Sequence, residues 1–250
     1  MPVCLFSDFG ASDPYVGQVK AALYRHAPLA AVIDLLHEAP AFNVKAGAHL
    51  LAALAGFLPP GCVVLAVVDP GVGGSREPVA LIADGTWFVG PDNGLLSVVA
   101  ARASRCTAYS IGWRPSRMSD SFHGRDLFAP VAALIESGQA DAAGLEELRC
   151  LAVELGTADV PEVIYMDHYG NAMTGLRTGS VGRRDKLVVG GQSLDHARVF
   201  METEPGKMFW YENSIGLIEI AVNAGSARDS LGLRIGQPID LKRGVLGNAQ

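Results

Sequence analysis

The sequence has few charged residues and no basic run. Charged residues make up 18% of the chain and hydrophobic residues 49%, so global disorder is excluded and a sizeable core can be buried. The formal net charge is −6, and no basic patch supplies the positive surface on which nucleic-acid affinity depends. We therefore expect a small-molecule substrate and no nucleic-acid partner.

Cysteine pairs and long apolar runs are also missing. Cys4, Cys62, Cys106 and Cys150 are widely spaced, without a C-x-x-C pair, so neither a metal site nor a redox motif is indicated. The N-terminus has no basic segment followed by an apolar one, as a signal peptide would. Every apolar stretch is too short or too interrupted to span a bilayer. These features predict a soluble cytoplasmic protein with no membrane partner.

Strand and helix patterns alternate along the first part of the chain. The predicted strands cover residues 3–6, 32–36, 62–68 and 79–83. The predicted helices cover residues 14–27, with Asp13 as a possible cap, and residues 43–58, 95–103 and 126–136. This alternation predicts an α/β domain with a mostly parallel sheet covered by helices, and the unbroken run 62–68 is typical of its buried centre.

The pattern changes after Gly156. Short apolar runs at residues 163–166, 186–189, 217–222 and 239–241 are separated by glycine-rich turns, with few helix signals. Such spacing is typical of a small barrel or sandwich. We expect an N-terminal α/β domain over residues 1–152 and a smaller C-terminal β-barrel-like domain over residues 160–250.

Polar residues follow the predicted strands, where ligands bind in open α/β sheets. Asp8 comes directly after the first strand and has no obvious structural purpose there, whereas Asp13 is explained equally well as a helix cap. The third strand delivers Asp69 into a glycine-rich loop that ends at Arg76. This loop lacks the Walker lysine and does not match G-x-G-x-x-G. It is either a plain tight turn or a loop that brings Asp69 and Arg76 to one reactive site.

Three other segments are ambiguous on their own. His123 stands in Ser-Phe-His-Gly-Arg-Asp before an apolar helix, where Asp126 is a possible cap, and a lone histidine is a weak indication of function. In the β domain, residues 167–171 are explained by a turn, and residues 213–223 place a polar loop before a strand. None of these segments alone identifies a site.

Taken together, the segments resemble the S-adenosyl-L-methionine (SAM) hydroxide adenosyltransferase family, which is related to the SAM-dependent fluorinase and chlorinase. The resemblance extends over nearly the whole chain. Its motifs, in order, are S-D-F-G-x-x-D-x-Y-V-G, V-V-D-P-G-V-G-x-x-R, G-P-D-N-G, S-F-H-G-R-D-x-F-A-P, D-x-x-G-N and N-S-x-G-x-x-E-I-A-V-N. Each motif is modest alone, but six in series make a chance match very improbable.

The resemblance implies an enzyme that hydrolyses SAM to adenosine and L-methionine without a cofactor. It also implies a homotrimer in which substrate binds between the N-terminal domain of one subunit and the C-terminal domain of its neighbour. The family's catalytic Asp–Arg–His set matches Asp69, Arg76 and His123. The matched substrate-binding positions are Asp8 for ribose, Phe42 for ribose and methionine, Asp13, Tyr15, Asp167 and Ser214 for methionine, and Asn171, Phe200 and Ala224 for adenine.

The retained Asp–Arg–His set favours water as the nucleophile, because the halogenating relatives lack the set and have a tyrosine where Asp69 stands. Arg76 is expected to stabilise incipient hydroxide, and either Asp69 or His123 to orient water and take its proton. Two alternatives remain open: a SAM-dependent halogenase, and a non-catalytic SAM or adenosine sensor. The chain departs from the family at Ser121 and Gly175, and these departures put details of the adenine pocket in question but not the reaction.

Overall fold

A computed structural model describes residues 1–244. The chain divides into two units, Met1–Thr157 and the part from Ala158 onward. Residues 245–250, the end of the predicted C-terminal domain, lie outside the described residues.

The first unit contains a seven-stranded sheet and four α-helices. Its strands are β1 Val3–Ser7, β2 Val32–Leu36, β3 Val63–Val67, β4 Pro78–Ala83, β5 Thr86–Pro91, β6 Cys106–Ile111 and β7 Leu145–Leu148. Its helices are α1 Pro14–His26, α2 Val44–Ala55, α3 Ser97–Arg102 and α4 Ala129–Glu136, with a π-helical turn at Gly124–Phe128 and a 3₁₀ turn at Ala140–Ala143.

The strands are ordered β2-β1-β3-β5-β4-β6-β7. Strands β2, β1, β3 and β5 pair in parallel, while β4 is antiparallel to β5 and β6, and β7 is antiparallel to β6. Five of the seven strands therefore run in one direction, and the predicted mostly parallel α/β fold is confirmed. Every residue of β3 is buried, as expected for a strand covered on both faces. Helices α1 and α4 share one core with β1 and β3.

Two predicted helix caps need correction. Helix α4 begins at Ala129 after the π-helical turn, so Asp126 does not cap it. Its carboxylate instead accepts hydrogen bonds from Arg125 and from the backbone N–H of Ser119, at 2.9 Å. Asp13 occupies the N-cap position of α1 but makes no side-chain cap hydrogen bond. Its carboxylate is therefore available for another purpose.

The described part of the second unit is mainly antiparallel. Its elements are β8 Val160–Met166, β9 Ala172–Arg177, β10 Lys186–Val189, β11 Gln192–Leu194, β12 Met208–Glu212, β13 Leu217–Val222, α5 Ala227–Leu231 and β14 Asp240–Lys242. The strands form two sheets, β12-β13-β9-β8 and β11-β10-β14. Trp210 is fully buried in this core, and its indole N–H donates to the Asp185 carbonyl at 3.2 Å. The arrangement agrees with the predicted barrel-like domain, although the described strands do not close into one ring.

The parallel part of the first sheet determines where the polar loops lie. Because β2, β1 and β3 are parallel neighbours, the segments that follow them leave the same edge of the sheet. Those segments contain Asp8, Phe42 and Asp69. Separately, no helix within residues 1–244 is both long and apolar enough to cross a membrane.

Candidate active site

A cavity of about 360 Å³ lies at this edge of the first unit. Its walls come from the loops after β1, β2 and β3, the start of α1, and the segment before the π-helical turn. The lining residues are Asp8, Phe9, Asp13, Tyr15, Phe42, Val67, Asp69, Val72, Ser121, Phe122, His123 and Gly124. Six residues that the sequence singled out thus share one cavity: Asp8, Asp13, Tyr15, Phe42, Asp69 and His123.

Arg76 joins Asp69 to His123 beside this cavity. Its Nε donates to the two Asp69 carboxylate oxygens at 3.2 and 3.0 Å, and its Nη2 also donates to Asp69 Oδ2. The same Nη2 lies 2.8 Å from His123 Nδ1. The side chains of Arg76 and Asp69 are 9% and 4% exposed, so the ion pair is held away from bulk water. The glycine-rich loop therefore brings Asp69 and Arg76 together, as one of its two interpretations predicted.

Gly73 allows the loop carrying Arg76 to approach the segment carrying His123. A Cβ atom at Gly73 would lie 2.5 Å from the Asp120 carbonyl oxygen, and the residue has a φ of +79°. Both the close approach and the left-handed backbone favour glycine. Gly73 is therefore favoured where the segments that carry Arg76 and His123 meet.

The contact with Arg76 defines the protonation of His123. A guanidinium group donates hydrogen bonds and does not accept them, so we assign Nδ1 as the acceptor and place the proton of the neutral ring on Nε2. Burial lowers the pKa of His123, and the positive charge of Arg76 lowers it further, while Asp69 opposes the change. Both effects favour neutral His123 at pH 7.

Asp8 and Phe42 are connected across two loops. The Phe42 backbone N–H donates to Asp8 Oδ2 at 3.0 Å. Burial raises the pKa of Asp8, the hydrogen bond from Phe42 opposes the rise, and the negative charge of Asp69 adds to it. Phe42 has a φ of +60°. A positive φ is unusual for a bulky residue, and residues with such strained backbone cluster at functional sites. The Phe42 side chain is 78% exposed although it lines the cavity.

An aromatic group lines the same cavity, and the sequence analysis selected only Tyr15 from it. The rings of Phe9, Tyr15 and Phe122 contact one another with centroid separations of 5.5–6.3 Å. Phe9 and Phe122 stand next to Asp8 and His123 in the sequence. This adjacency within the S-D-F-G and S-F-H-G motifs is the signal that could have identified them.

The remaining predicted site residues lie in the second unit. Asp167 and Asn171 form the hairpin loop between β8 and β9, where the Asp167 carboxylate accepts from the Asn171 backbone and side-chain N–H groups at 2.8 and 2.9 Å. Phe200 packs against Phe209 and Tyr211. Ser214 lies in the exposed turn between β12 and β13, and Ala224 follows β13 with a φ of +54°.

A buried glutamate supports this second group and was not anticipated. Glu219 is 2% exposed and accepts from the Tyr211 hydroxyl at 2.6 Å and the Asn213 amide at 2.7 Å. Burial raises its pKa. Asn213 in turn accepts from the backbone N–H groups of Ile215 and Leu217, which shapes the turn containing Ser214. A charged residue in the middle of an apolar strand pattern, as Glu219 is in β13, was the sequence signal that could have identified it.

Family models match both units. The model of the SAM hydroxide adenosyltransferase N-terminal domain matches residues 3–145, and that of the C-terminal domain matches residues 161–240. The chain belongs to this family. The resemblance drawn from the six motifs is therefore confirmed.

Relatives and a solved structure agree with this membership. An (R)-S-adenosyl-L-methionine hydrolase from Thermus thermophilus is 42% identical, with 96% of this chain and 99% of the relative covered. A protein of the same name from Salinispora arenicola is 39% identical, with 95% and 96% covered. The crystal structure of an uncharacterized conserved protein from Thermotoga maritima matches with a TM-score of 0.87 and 33% identity, covering 96% of this chain and all of that one.

The departure from the family pattern at Gly175 falls within β9. Thr174, beside it, is fully buried and donates its hydroxyl to the Ile218 carbonyl at 2.8 Å. A Cβ atom at Gly175 would lie 2.5 Å from the Val160 carbonyl oxygen. The close approach of β8 to β9 therefore requires glycine at position 175, so sheet packing explains this departure.

Proposed function

We propose that this protein hydrolyses SAM to adenosine and L-methionine through attack of water on the ribose C5′ carbon. The observation that carries the proposal is the buried Asp69–Arg76–His123 cluster beside the cavity. Membership of the family and the names of the hydrolase relatives support it.

The charge of the cavity suits this substrate. Asp8, Asp13 and Asp69 line it, and the Arg76 guanidinium beside it is already paired with Asp69. The sulfonium and ammonium groups of SAM are cationic, so the carboxylates favour them. We assign the ribose hydroxyls to Asp8, since a carboxylate accepts hydrogen bonds readily.

Displacement at C5′ forms an oxygen–carbon bond and breaks the carbon–sulfur bond. The bonding electron pair moves to sulfur, which leaves as the neutral thioether of methionine. No general acid is needed for this leaving group. Catalysis therefore depends on placing a water in line with the C5′–S bond and on removing its proton.

Asp69 is the best candidate to take that proton. Arg76 cannot accept one, and neutral His123 has its Nε2 protonated when Nδ1 accepts from Arg76. His123 therefore donates a hydrogen bond to the water oxygen and orients it. The guanidinium stabilises the developing hydroxide, an electrostatic effect typically worth about 2.7–4 kcal/mol per donor.

A product assay tests the reaction. The protein is incubated with SAM in chloride buffer, and products are separated by chromatography. Equimolar adenosine and methionine support hydrolysis. Accumulation of 5′-chloroadenosine would instead identify a halogenase, and SAM binding in calorimetry without any product would identify a sensor.

We further propose a cytoplasmic homotrimer in which the second unit of one subunit completes the cavity of its neighbour. Family resemblance supports the trimer, and the exposed Tyr15 and Phe42 beside the cavity leave apolar surface for a neighbour to cover. The four free cysteines suit a reducing compartment.

Subunit complementation tests the shared site. Inactive His123→Ala and Asp167→Ala subunits are mixed after dissociation and reassembled. A shared site pairs an intact first unit with an intact second unit at some interfaces, so part of the activity returns. If mixed oligomers form and no activity returns, the shared site is wrong.

A further inference from the structure

A row of hydrogen-bonded polar side chains lies behind the cavity and is not part of its lining. The Ser7 hydroxyl is 2.9 Å from His37 Nδ1, and His37 Nε2 is 2.9 Å from Asp34 Oδ1. Lys20 Nζ donates to the other Asp34 oxygen at 2.6 Å. The row runs from the surface of α1 and β2 to the end of β1, directly before Asp8.

The directions of these hydrogen bonds follow from the chemistry of each group. The Asp34 carboxylate accepts, so His37 Nε2 carries a proton and donates to it. In this tautomer Nδ1 accepts, and the Ser7 hydroxyl donates to it. Ser7 Oγ also receives a long contact from the Phe9 backbone N–H at 3.5 Å. The hydrogen-bonded row therefore reaches Ser7 and Phe9, the two residues next to Asp8 in the sequence.

The order Ser–His–Asp is that of a hydrolytic triad, but the surroundings exclude this activity. Ser7 is 4% exposed and ends β1, which lies between β2 and β3. It does not line the cavity of about 360 Å³. A substrate cannot reach its hydroxyl, so the row has a different purpose.

The row connects the two loops that hold the cavity residues Asp8 and Phe42. Backbone bonds join the same loops, from Gly10 N–H to the His37 carbonyl at 2.8 Å and from Ala39 N–H to the Ser7 carbonyl at 3.0 Å. The bond from Phe42 N–H to Asp8 completes the connection. A left-handed residue such as Phe42 persists where its surroundings hold it in place.

We propose that His37 is a positioning residue that acts through Ser7 to hold the Asp8 carboxylate in place for the ribose of the substrate. This inference rests on the proposed function. It concerns binding, because Asp8 faces the ribose and the groups that act on water are Asp69, Arg76 and His123. Loss of the Ser7–His37 bond should therefore raise KM and leave kcat nearly unchanged.

Two substitutions of His37 separate its ring nitrogens. His37→Asn keeps an acceptor near the Nδ1 position, whereas His37→Gln keeps a donor near the Nε2 position and loses the bond to Ser7. Ser7→Ala removes the same bond from the other side. His49→Gln is the control, because His49 is a buried histidine of the same unit on α2, outside the cavity lining.

Steady-state kinetics with SAM, calorimetry with adenosine and thermal unfolding are measured for all variants. We expect His37→Gln and Ser7→Ala to raise KM and the adenosine Kd about tenfold, equivalent to about 1.4 kcal/mol, with kcat within about twofold. His37→Asn and His49→Gln should stay within about threefold of wild type, since a retained hydrogen bond preserves most of its net contribution.

The inference is overturned if His37→Asn and His37→Gln weaken adenosine binding equally, or if kcat falls while KM and Kd do not change. If a His37 variant does not fold, Ser7→Ala tests the inference by the same measurements, and an unchanged adenosine Kd overturns it. Wild-type protein that binds adenosine without turning over SAM would refute only the proposed function. The adenosine affinities of the variants would still test whether His37 positions Asp8. Wild-type protein that does not bind adenosine would overturn both.

Discussion

Replacing Arg76 with methionine removes the connection between Asp69 and His123, the two groups that we propose act on water. The substitution keeps an unbranched stem over the Phe128 ring, where the guanidinium carbon lies 5.2 Å from the ring centroid. It leaves the Asp69 carboxylate, 4% exposed, without its cation. Removing one partner of a buried pair costs about 3–5 kcal/mol of folding free energy. For a chain of this size, that corresponds to a melting temperature lower by roughly 10 °C.

The catalytic loss should be separate from the loss of stability. Without Arg76, developing hydroxide loses its electrostatic partner and His123 Nδ1 loses its donor, so kcat should fall about 10²–10³-fold. Adenosine release is measured at a temperature where circular dichroism shows the variant to be folded. Arg177→Met is the control, since it breaks a more exposed pair with Asp159 in the second unit, which is worth about 1 kcal/mol or less. A folded Arg76→Met protein with kcat within about fivefold of wild type would refute the reasoning.

Three other changes test separate parts of the account. Asp69→Asn should lower kcat about 100-fold or more, because the lost carboxylate is the proposed acceptor of the water proton. Calorimetry should show SAM affinity within about tenfold of wild type, and an equal loss of binding would contradict this assignment. Turnover should be constant above pH 6.5, the ordinary pKa of histidine. It should fall as the pH drops through the lower pKa of His123, because a proton on Nδ1 displaces the guanidinium of Arg76. A turnover rate that instead decreases with rising pH would contradict this role of His123. Glu219→Ala leaves the half-buried Tyr211 and Asn213 donors without their acceptor. Urea unfolding should therefore show a loss of about 2–4 kcal/mol in the free energy of unfolding, and an unchanged midpoint would contradict the stabilising role of Glu219.

Strand β3 was predicted from its buried apolar run, and β2 was predicted correctly although much of it is exposed. Residues 62–68 have no polar residue, and they form β3 at the centre of the sheet. Strands β5 and β6 were missed, because their polar and aromatic residues interrupt the apolar pattern. The Asp84-Gly85 pair between β4 and β5, with φ angles of +47° and +84°, is a hairpin signal that was available.

The candidate site was selected through its motifs, and the structure adds the contacts between its residues, which sequence spacing does not specify. Asp69 and His123 are far apart in sequence and meet only because the loops after β3 and before α4 converge on Arg76. The tautomer of His123 depends on that contact. The pairing of His37 with Ser7 depends on the parallel register of β1 and β2, which the sequence pattern alone does not specify.

The central claim is that water attacks C5′, and an isotope experiment tests it most directly. The protein is incubated with SAM in water enriched in oxygen-18, and both products are analysed by mass spectrometry. The account predicts one heavy oxygen atom in the 5′-hydroxyl of adenosine and none in methionine. Unlabelled adenosine, or a 5′-halogenated nucleoside in its place, would contradict it.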